Sequence, residues 1–360
     1  MKKFFTYALF AVLALGFASC SDDDNNKKNP DPDPTWVGSV YVLSEGSYYS
    51  KLDGDLTSYD PIARSAVSGV FKTINERAIA GTANDGLVYG SKLYFTNTDE
   101  NVVEVCEAKT AKSVKQIELD GARCIKADGG YLYVTMFNEG KVAKIDTTNY
   151  TVVATVETDA NPEGLTIFNG NLYVANSGYG YGNTVTVVDM ANFTVSTTLT
   201  VPTNPVDIFT DGTSLYLQCS GEYKADWSGY EVNPAIYTLA IDGSTTKLAD
   251  ATIAAIGPGR LYFIDNNYYK EEQTYGYIDL TDNSVQSMYF SNQGVVAPCA
   301  IGVNPKNGDV YLTAYSTIEY APGVYGADYE GNGFCVRYDK TGLQIDQFYV
   351  GINPGTVIFY

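Results

Sequence analysis

The chain contains no histidine. That removes a Ser-His-Asp triad, the commonest zinc sites, a proximal haem ligand and the usual general base. Any chemistry would have to run on carboxylates, lysine, tyrosine or cysteine. Basic residues are also scarce, with 23 Lys and Arg against 42 Asp and Glu and a net charge of −19. No basic run offsets the imbalance, so nucleic acid and anionic lipid surfaces are poor partners. Cysteine is sparse and its spacing shows no paired motif. Beyond Cys20 only Cys106, Cys124, Cys219, Cys299 and Cys335 remain, an odd number that excludes a disulfide framework. These five are expected to be small buried hydrophobes. No segment carries a long apolar pattern with a 3.6-residue period, so little helix is expected.

The apolar run Phe4–Phe17 is too short, and too polar in its following flank, for a membrane span. Lys2 and Lys3 precede it, and Ala18-Ser19-Cys20 follows. Residues 1–19 therefore read as a targeting segment. The pattern resembles a bacterial lipoprotein signal, with Cys20 as the lipidated first residue of the mature chain. Phe17 departs from the aliphatic residue usual there, and an ordinary secretory signal is the alternative. Residues 20–36 are polar, acidic and proline-rich, and read as an extended tether. The Ser21-Asp22-Asp23-Asp24 run resembles the acidic surface-export signal of Bacteroidetes lipoproteins; a solvated spacer is the plainer reading. The expected location is the outer membrane, lipid-anchored and exposed at the cell surface. Without its leader the chain carries a charge of −21.

What the chain has in abundance is tyrosine, 31 in all. Seven fall in Leu-Tyr runs or close variants, at Tyr41, Tyr94, Tyr133, Tyr173, Tyr216, Tyr262 and Tyr311. They are spaced 53, 39, 40, 43, 46 and 49 residues apart. A period of this size among short strands is the signature of a β-propeller. Each run sits in a repeated frame: a first strand such as Gly164–Phe168, a tight turn, the Leu-Tyr strand, a third strand ending in Asp, and a fourth alternating strand such as Thr151–Val156. The expectation is an all-β fold, a seven-bladed β-propeller of four-stranded antiparallel blades over residues 37–360. The final segment Asn353–Tyr360 resembles the start of a blade, as at Asn161–Leu165, and the run at Tyr41 lacks such a strand before it. The C-terminal strand is therefore expected to complete the first blade and close the ring.

Links between second and third strands, roughly 44–55, 97–101, 136–140, 176–183, 219–234, 265–275 and 314–333, should share one face. They total 77 residues and hold 13 of the 31 tyrosines. Tyrosine interleaved with Gly, Ser and Asn suits adaptable recognition surfaces, because it brings rigid contact area and one hydroxyl at low entropic cost. The alternative is that long loops pack their aromatics on one another. The candidate ligand residues are Tyr48, Tyr49, Asn84, Asp85, Phe137, Asn138, Asn176, Tyr179, Tyr181, Trp227, Tyr230, Tyr268, Tyr269, Tyr315 and Tyr325. The tyrosines of the Leu-Tyr strands are expected to be structural.

The first two blades carry more specific wording: Val42-Leu43-Ser44-Glu45-Gly46, Leu56–Asp60, Phe71–Asn75, Thr82–Gly86 and Tyr89–Tyr94. This resembles the propeller lipoproteins of Bacteroidetes described as surface-layer or conserved surface proteins, over essentially the whole mature chain. That group includes cell-surface cobalamin-binding lipoproteins, which cap a TonB-dependent outer-membrane transporter. The resemblance implies a corrinoid ligand, captured on the long-loop face, and a transporter partner; it carries over no individual contact. Without histidine, the protein could not supply an imidazole ligand to cobalt, so binding would rest on shape and hydrogen bonds.

A non-catalytic binding protein without a cofactor is thus the leading expectation. An adhesion or scaffold propeller that binds glycan or protein is the second. A carboxylate- or calcium-based propeller enzyme is the third, with Glu45, Asp85, Glu139, Glu163 and Asp207 as its acidic candidates.

Overall fold

A computed structural model describes residues 39–267, 269, 272–288, 290, 295 and 297–360. All of these fall within the compact unit Thr35–Tyr360. The targeting segment, the tether with Cys20, and Tyr268 lie outside the described residues. No helix among the described residues is long and apolar enough to cross a membrane.

Seven four-stranded antiparallel sheets follow one another around a ring. The innermost strands are Ala83–Tyr89, Ala122–Asp128, Pro162–Phe168, Pro205–Thr210, Ile253–Gly257, Pro298–Val303 and Pro354–Phe359. The last of these pairs with Val40–Ser44, so the C-terminus supplies the inner strand of the first blade. The backbone N–H of Tyr360 donates to the carbonyl of Ser39 at 2.8 Å. Both edges that a linear array would leave open are thereby paired.

The Leu-Tyr strands sit second from the axis and are buried on both faces by neighbouring blades. Their seven tyrosines are all buried. Tyr41 donates its hydroxyl to the Ala108 carbonyl at 2.8 Å, and Tyr216 donates to Asn283 Oδ1 at 3.0 Å. Each reaches the third-to-fourth turn of the following blade, so these two tyrosines tie blade to blade through their hydroxyls. The aspartate that ends third strands has its own reason. Asp146 Oδ1 accepts from the N–H groups of Thr148 and Asn149, and Asp189 Oδ1 accepts from Ala191 and Asn192. A side-chain acceptor at this position closes an Asx-type turn.

Where blades converge, side chains must be small. A Cβ on Gly164 would lie 2.1 Å from Asp207 Oδ1, and one on Gly257 would lie 2.3 Å from Val303 Cγ1. The five described cysteines are free; Cys106, Cys219 and Cys335 are buried, and Cys124 and Cys299 are half-buried.

Among the described residues, helix is limited to Val70–Asn75 and a single turn at Gly178–Gly180. Two of the long links are more ordered than their composition suggests. The fifth blade projects a hairpin of Glu222–Tyr223 and Tyr230–Val232, and the seventh one of Thr317–Ala321 and Val324–Ala327.

The seam between the last blade and the first is also held by side chains. Arg337 donates from Nε and Nη2 to Asp309 Oδ2 at 2.9 and 2.6 Å, and from Nη1 to the Pro61 carbonyl at 2.8 Å. Both side chains of the pair are almost fully buried. Asp309→Ala should cost about 3 kcal/mol, because it strands a buried guanidinium; chemical denaturation measures it. Deleting residues 354–360 should abolish cooperative unfolding, since it reopens the ring at both edges.

Candidate functional site

In six of the seven blades the pairing of the inner strand with the Leu-Tyr strand slips by a residue near the long-link face. Such bulges increase local twist and re-aim side chains. Here they bring Asn84, Arg123 and Glu163 together at the mouth of the central channel. Arg123 Nε donates to Glu163 Oε2 at 2.8 Å. With the Asn84 amide oriented to satisfy both its ends, its oxygen accepts from Arg123 Nη1 at 3.1 Å. The Arg123 guanidinium also lies 5.1 Å from the centre of the Phe137 ring.

Beside this group stands Glu45, which follows the first Leu-Tyr strand. Its Oε2 accepts from Asn353 Nδ2 at 2.9 Å, and Asn353 Oδ1 accepts from the Tyr315 hydroxyl at 2.5 Å. Glu45 keeps some solvent access, yet protein surrounds it at longer range. Burial pushes its carboxyl up to about 7, against the opposing pull of Arg123 and the Asn353 hydrogen bond; Asp99 and Glu163 add a smaller push in the same direction as burial.

Deeper in the channel, Asp85 accepts from the N–H groups of Gly86 and Ile125 at 2.8 and 2.9 Å, joining two inner strands. Asp207 accepts from the Ile208 N–H, and burial pushes its carboxyl up to about 6 although Lys126 pulls it down. Burial opposes the charge on Lys126, but Asp85 and Asp207 outweigh it and hold the ammonium protonated. The cluster is a compensated charge network, in which Arg123 and Lys126 each stand among carboxylates. Among the described residues no three His, Cys, Asp or Glu side chains form a group able to hold a metal ion.

The aromatic candidates form separate groups around this mouth. Tyr230 stacks on Tyr223 at 4.3 Å between centroids, and Trp227 lies 5.1 Å from Tyr223. Tyr269 meets Tyr230 edge-on at 5.9 Å and donates its hydroxyl to the Trp227 carbonyl at 2.5 Å. Trp227 holds a positive φ of 59°, uncommon for so bulky a residue. Phe137 and Tyr179 lie 6.2 Å apart, and Tyr181 and Asn138 nearby in sequence are exposed. Tyr48 and Tyr49 meet edge-on at 5.6 Å. Tyr325 is exposed on the seventh-blade hairpin, and Tyr315 packs on Tyr329 at 5.0 Å.

Not every candidate faces solvent. Asn176 is 1 % exposed, and its Nδ2 donates to Thr184 and Thr186 within its own blade. Asp85 likewise spends its carboxylate on backbone N–H groups. Of the acidic candidates, Glu45, Asp85, Glu163 and Asp207 gather at the channel, whereas Glu139 stays exposed on its loop. The residue absent from the candidates is Arg123, the cation that organises the mouth. Aligning Gly121-Ala122-Arg123 with Asn161-Pro162-Glu163 places it at the same repeat position as Glu163, which is the signal that could have found it.

A cavity of about 500 Å³ opens between the first- and seventh-blade loops, lined by Glu45, Ser47, Tyr48, Tyr49, Ser50, Thr82, Tyr329, Glu330 and Asn353 among others. Ser50 Oγ donates to Glu330 Oε1 at 2.5 Å, linking the two loops beside it. A smaller cavity of about 270 Å³ adjoins it and includes Lys51, Asp53, Asp99 and Glu100.

No family model matches the chain, and no curated protein matches it in sequence. Solved structures match its architecture. The WD40 domain of Neurospora crassa Pan2 superposes with a TM-score of 0.55 at 14% identity, covering 76% of this chain and 86% of that one. The WD40 β-propeller domain of Doa1 gives 0.53 at 10% identity, over 77% and 87% of the two chains. Kuenenia stuttgartiensis hydrazine synthase gives 0.53 at 15% identity, over 71% and 76%. At these identities the likeness is one of fold. The chain is a seven-bladed β-propeller.

The elevated carboxyl of Glu45 has a stability signature. Its folded pKa lies above its ordinary value of 4.5, so the folded state holds the proton more tightly. The resulting stabilisation is fully present below about pH 4.5 and is lost as pH rises through about 7. Glu45→Gln should therefore match the parent at pH 4 and exceed it at pH 8, as denaturant titrations across that range would show.

Proposed function

We propose that this propeller is a non-catalytic binding protein of the cell surface, lipid-anchored through Cys20, that takes a small molecule on its long-link face. The observation that carries this reading is the concentration of partly exposed aromatic rings on that face. The stacked group of Tyr223, Trp227, Tyr230 and Tyr269 is the largest of them. Soluble domains seldom expose such groups without use, and rigid aromatic surface beside polar loops is suited to a large ligand rich in amides.

Our preferred ligand is a corrinoid, and our preferred partner is a TonB-dependent outer-membrane transporter that receives it. The resemblance of the first two blades to surface lipoproteins supports both. Aromatic walls would cover the faces of the macrocycle, while loop amides such as Asn138 would meet its side-chain amides. A glycan is the second reading, favoured by the stacking of Tyr223 and Tyr230, since paired aromatic rings also suit a sugar face.

Calorimetric titration with cyanocobalamin and cobinamide tests the preferred ligand. Saturable binding is expected, weakened at least tenfold by Trp227→Ala combined with Tyr230→Ala, and unchanged by Ile62→Ala on the opposite face. Absence of binding at micromolar ligand overturns the corrinoid assignment. Cys20→Ala should release the protein from membranes in a fractionation experiment.

A further inference from the structure

The cavity between the first- and seventh-blade loops differs in character from the charge-compensated channel mouth beside it. Its walls carry three tyrosine rings, Tyr48, Tyr49 and Tyr329, and two carboxylates, Glu45 and Glu330, with no lysine or arginine in its lining. Among the described residues, each carboxylate has one oxygen in a side-chain hydrogen bond, from Asn353 and from Ser50, and the other oxygen without one. The nearest guanidinium at the mouth, that of Arg123, is committed to Glu163 at 2.8 Å. Tyr49 is 94 % exposed, so its ring has little packing of its own to lose by turning onto a ligand.

We propose that this cavity binds an organic cation, a primary or quaternary ammonium group held by the tyrosine faces and neutralised by Glu45 and Glu330. Three physical points support the class. Aromatic faces attract cations through their quadrupole, most strongly where water is partly excluded. The chain already uses Tyr48 in this way: Lys51 Nζ sits 4.2 Å from its ring centre, and Lys51 belongs to the adjoining cavity rather than this one. A volume of about 500 Å³ suits a small molecule or one arm of a larger ligand. An anionic ligand would meet two carboxylates with no compensating cation in the lining. A purely apolar one would leave both carboxylates desolvated and unpaired.

Glu45 also makes the site responsive to pH. Burial raises its carboxyl, and the charged groups acting on it are Arg123 in one direction and Asp99 and Glu163 in the other, with Glu330 across the cavity. An ammonium ligand favours the ionised form, so its binding should tighten as pH rises from 6 to 8.

This inference rests on the reading of the long-link face as a ligand surface, but the two fail separately. The probes are choline and n-butylammonium, with 3,3-dimethylbutan-1-ol as the neutral isostere of choline, each titrated against the folded propeller by saturation-transfer NMR. The cations should bind at least tenfold more tightly than the isostere, and Glu330→Gln should weaken them several-fold. Glu330 is exposed on a loop, so this variant keeps the test valid even if Glu45→Gln alters folding. Tyr49→Ala should weaken them as well. Equal affinity for choline and its isostere, or cation binding indifferent to Glu330→Gln and Tyr49→Ala, overturns the proposal. Corrinoid binding without cation binding would overturn this inference alone; cation binding without corrinoid binding would overturn the ligand preferred above.

Discussion

A ring of blades is stable only if it closes. Each blade buries its flanks against two neighbours, so one open seam would expose two sheet faces and two strand edges at once. Here closure depends on Pro354–Phe359 entering the first blade beside Val40–Ser44. The packing around the axis follows from that constraint. It sets the pitch at which the seven Leu-Tyr strands pack, and it draws the inner strands close enough to require glycine at Gly164 and Gly257. It also turns the first residues of the inner strands toward one axis. The pair of Arg337 with Asp309, reaching across to Pro61, reinforces the same seam.

Convergence on the axis explains the unusual electrostatics. Carboxylates from blades distant in sequence are forced into one channel mouth, where burial raises the pKa of Glu45 and Asp207 and mutual repulsion would follow. Arg123 and Lys126, both on the inner strand of the third blade, sit among them. The negative surface of the protein therefore continues into its interior, but there it is compensated. The cavity beside the first and seventh blades has no lysine or arginine in its lining, and this contrast separates a structural charge network from a surface open to a ligand. The long links add a second contrast. Strand positions must repeat because neighbouring blades pack on them, whereas the links face solvent and are free to differ. Two of them have become hairpins, and exposed aromatic residues gather there and in the links of the first and fourth blades.

The architecture was legible in the residues. The Leu-Tyr period, the aspartate at the third-strand end and the blade-like C-terminus are local patterns with local causes, and they predicted seven blades and the manner of closure. The division of tyrosine into two populations was legible too: the repeated ones are buried, and most of those in the links reach the surface. The site was less so. Asn176 stands in a loop-like sequence, Asn-Ser-Gly-Tyr, but lies at the last position of a buried strand and bonds to Thr184 and Thr186. Asp85 looked available and is bound to two backbone N–H groups. Arg123 has no local signature, because a lone arginine in Ala-Arg-Cys marks nothing by itself.

The sequence by itself determined the fold class, the number of repeats and the identity of the strands that build the ring, because these rest on patterns whose period is the repeat. Only the tertiary structure decided which side chains meet. Glu45, Arg123, Glu163 and Asn353 come from four blade-start or loop positions spread over some three hundred residues, and they share a site because the ring returns to its own axis. Pairing across blades depends on twist and on the slip of each inner strand, and neither quantity is written in a local stretch of residues.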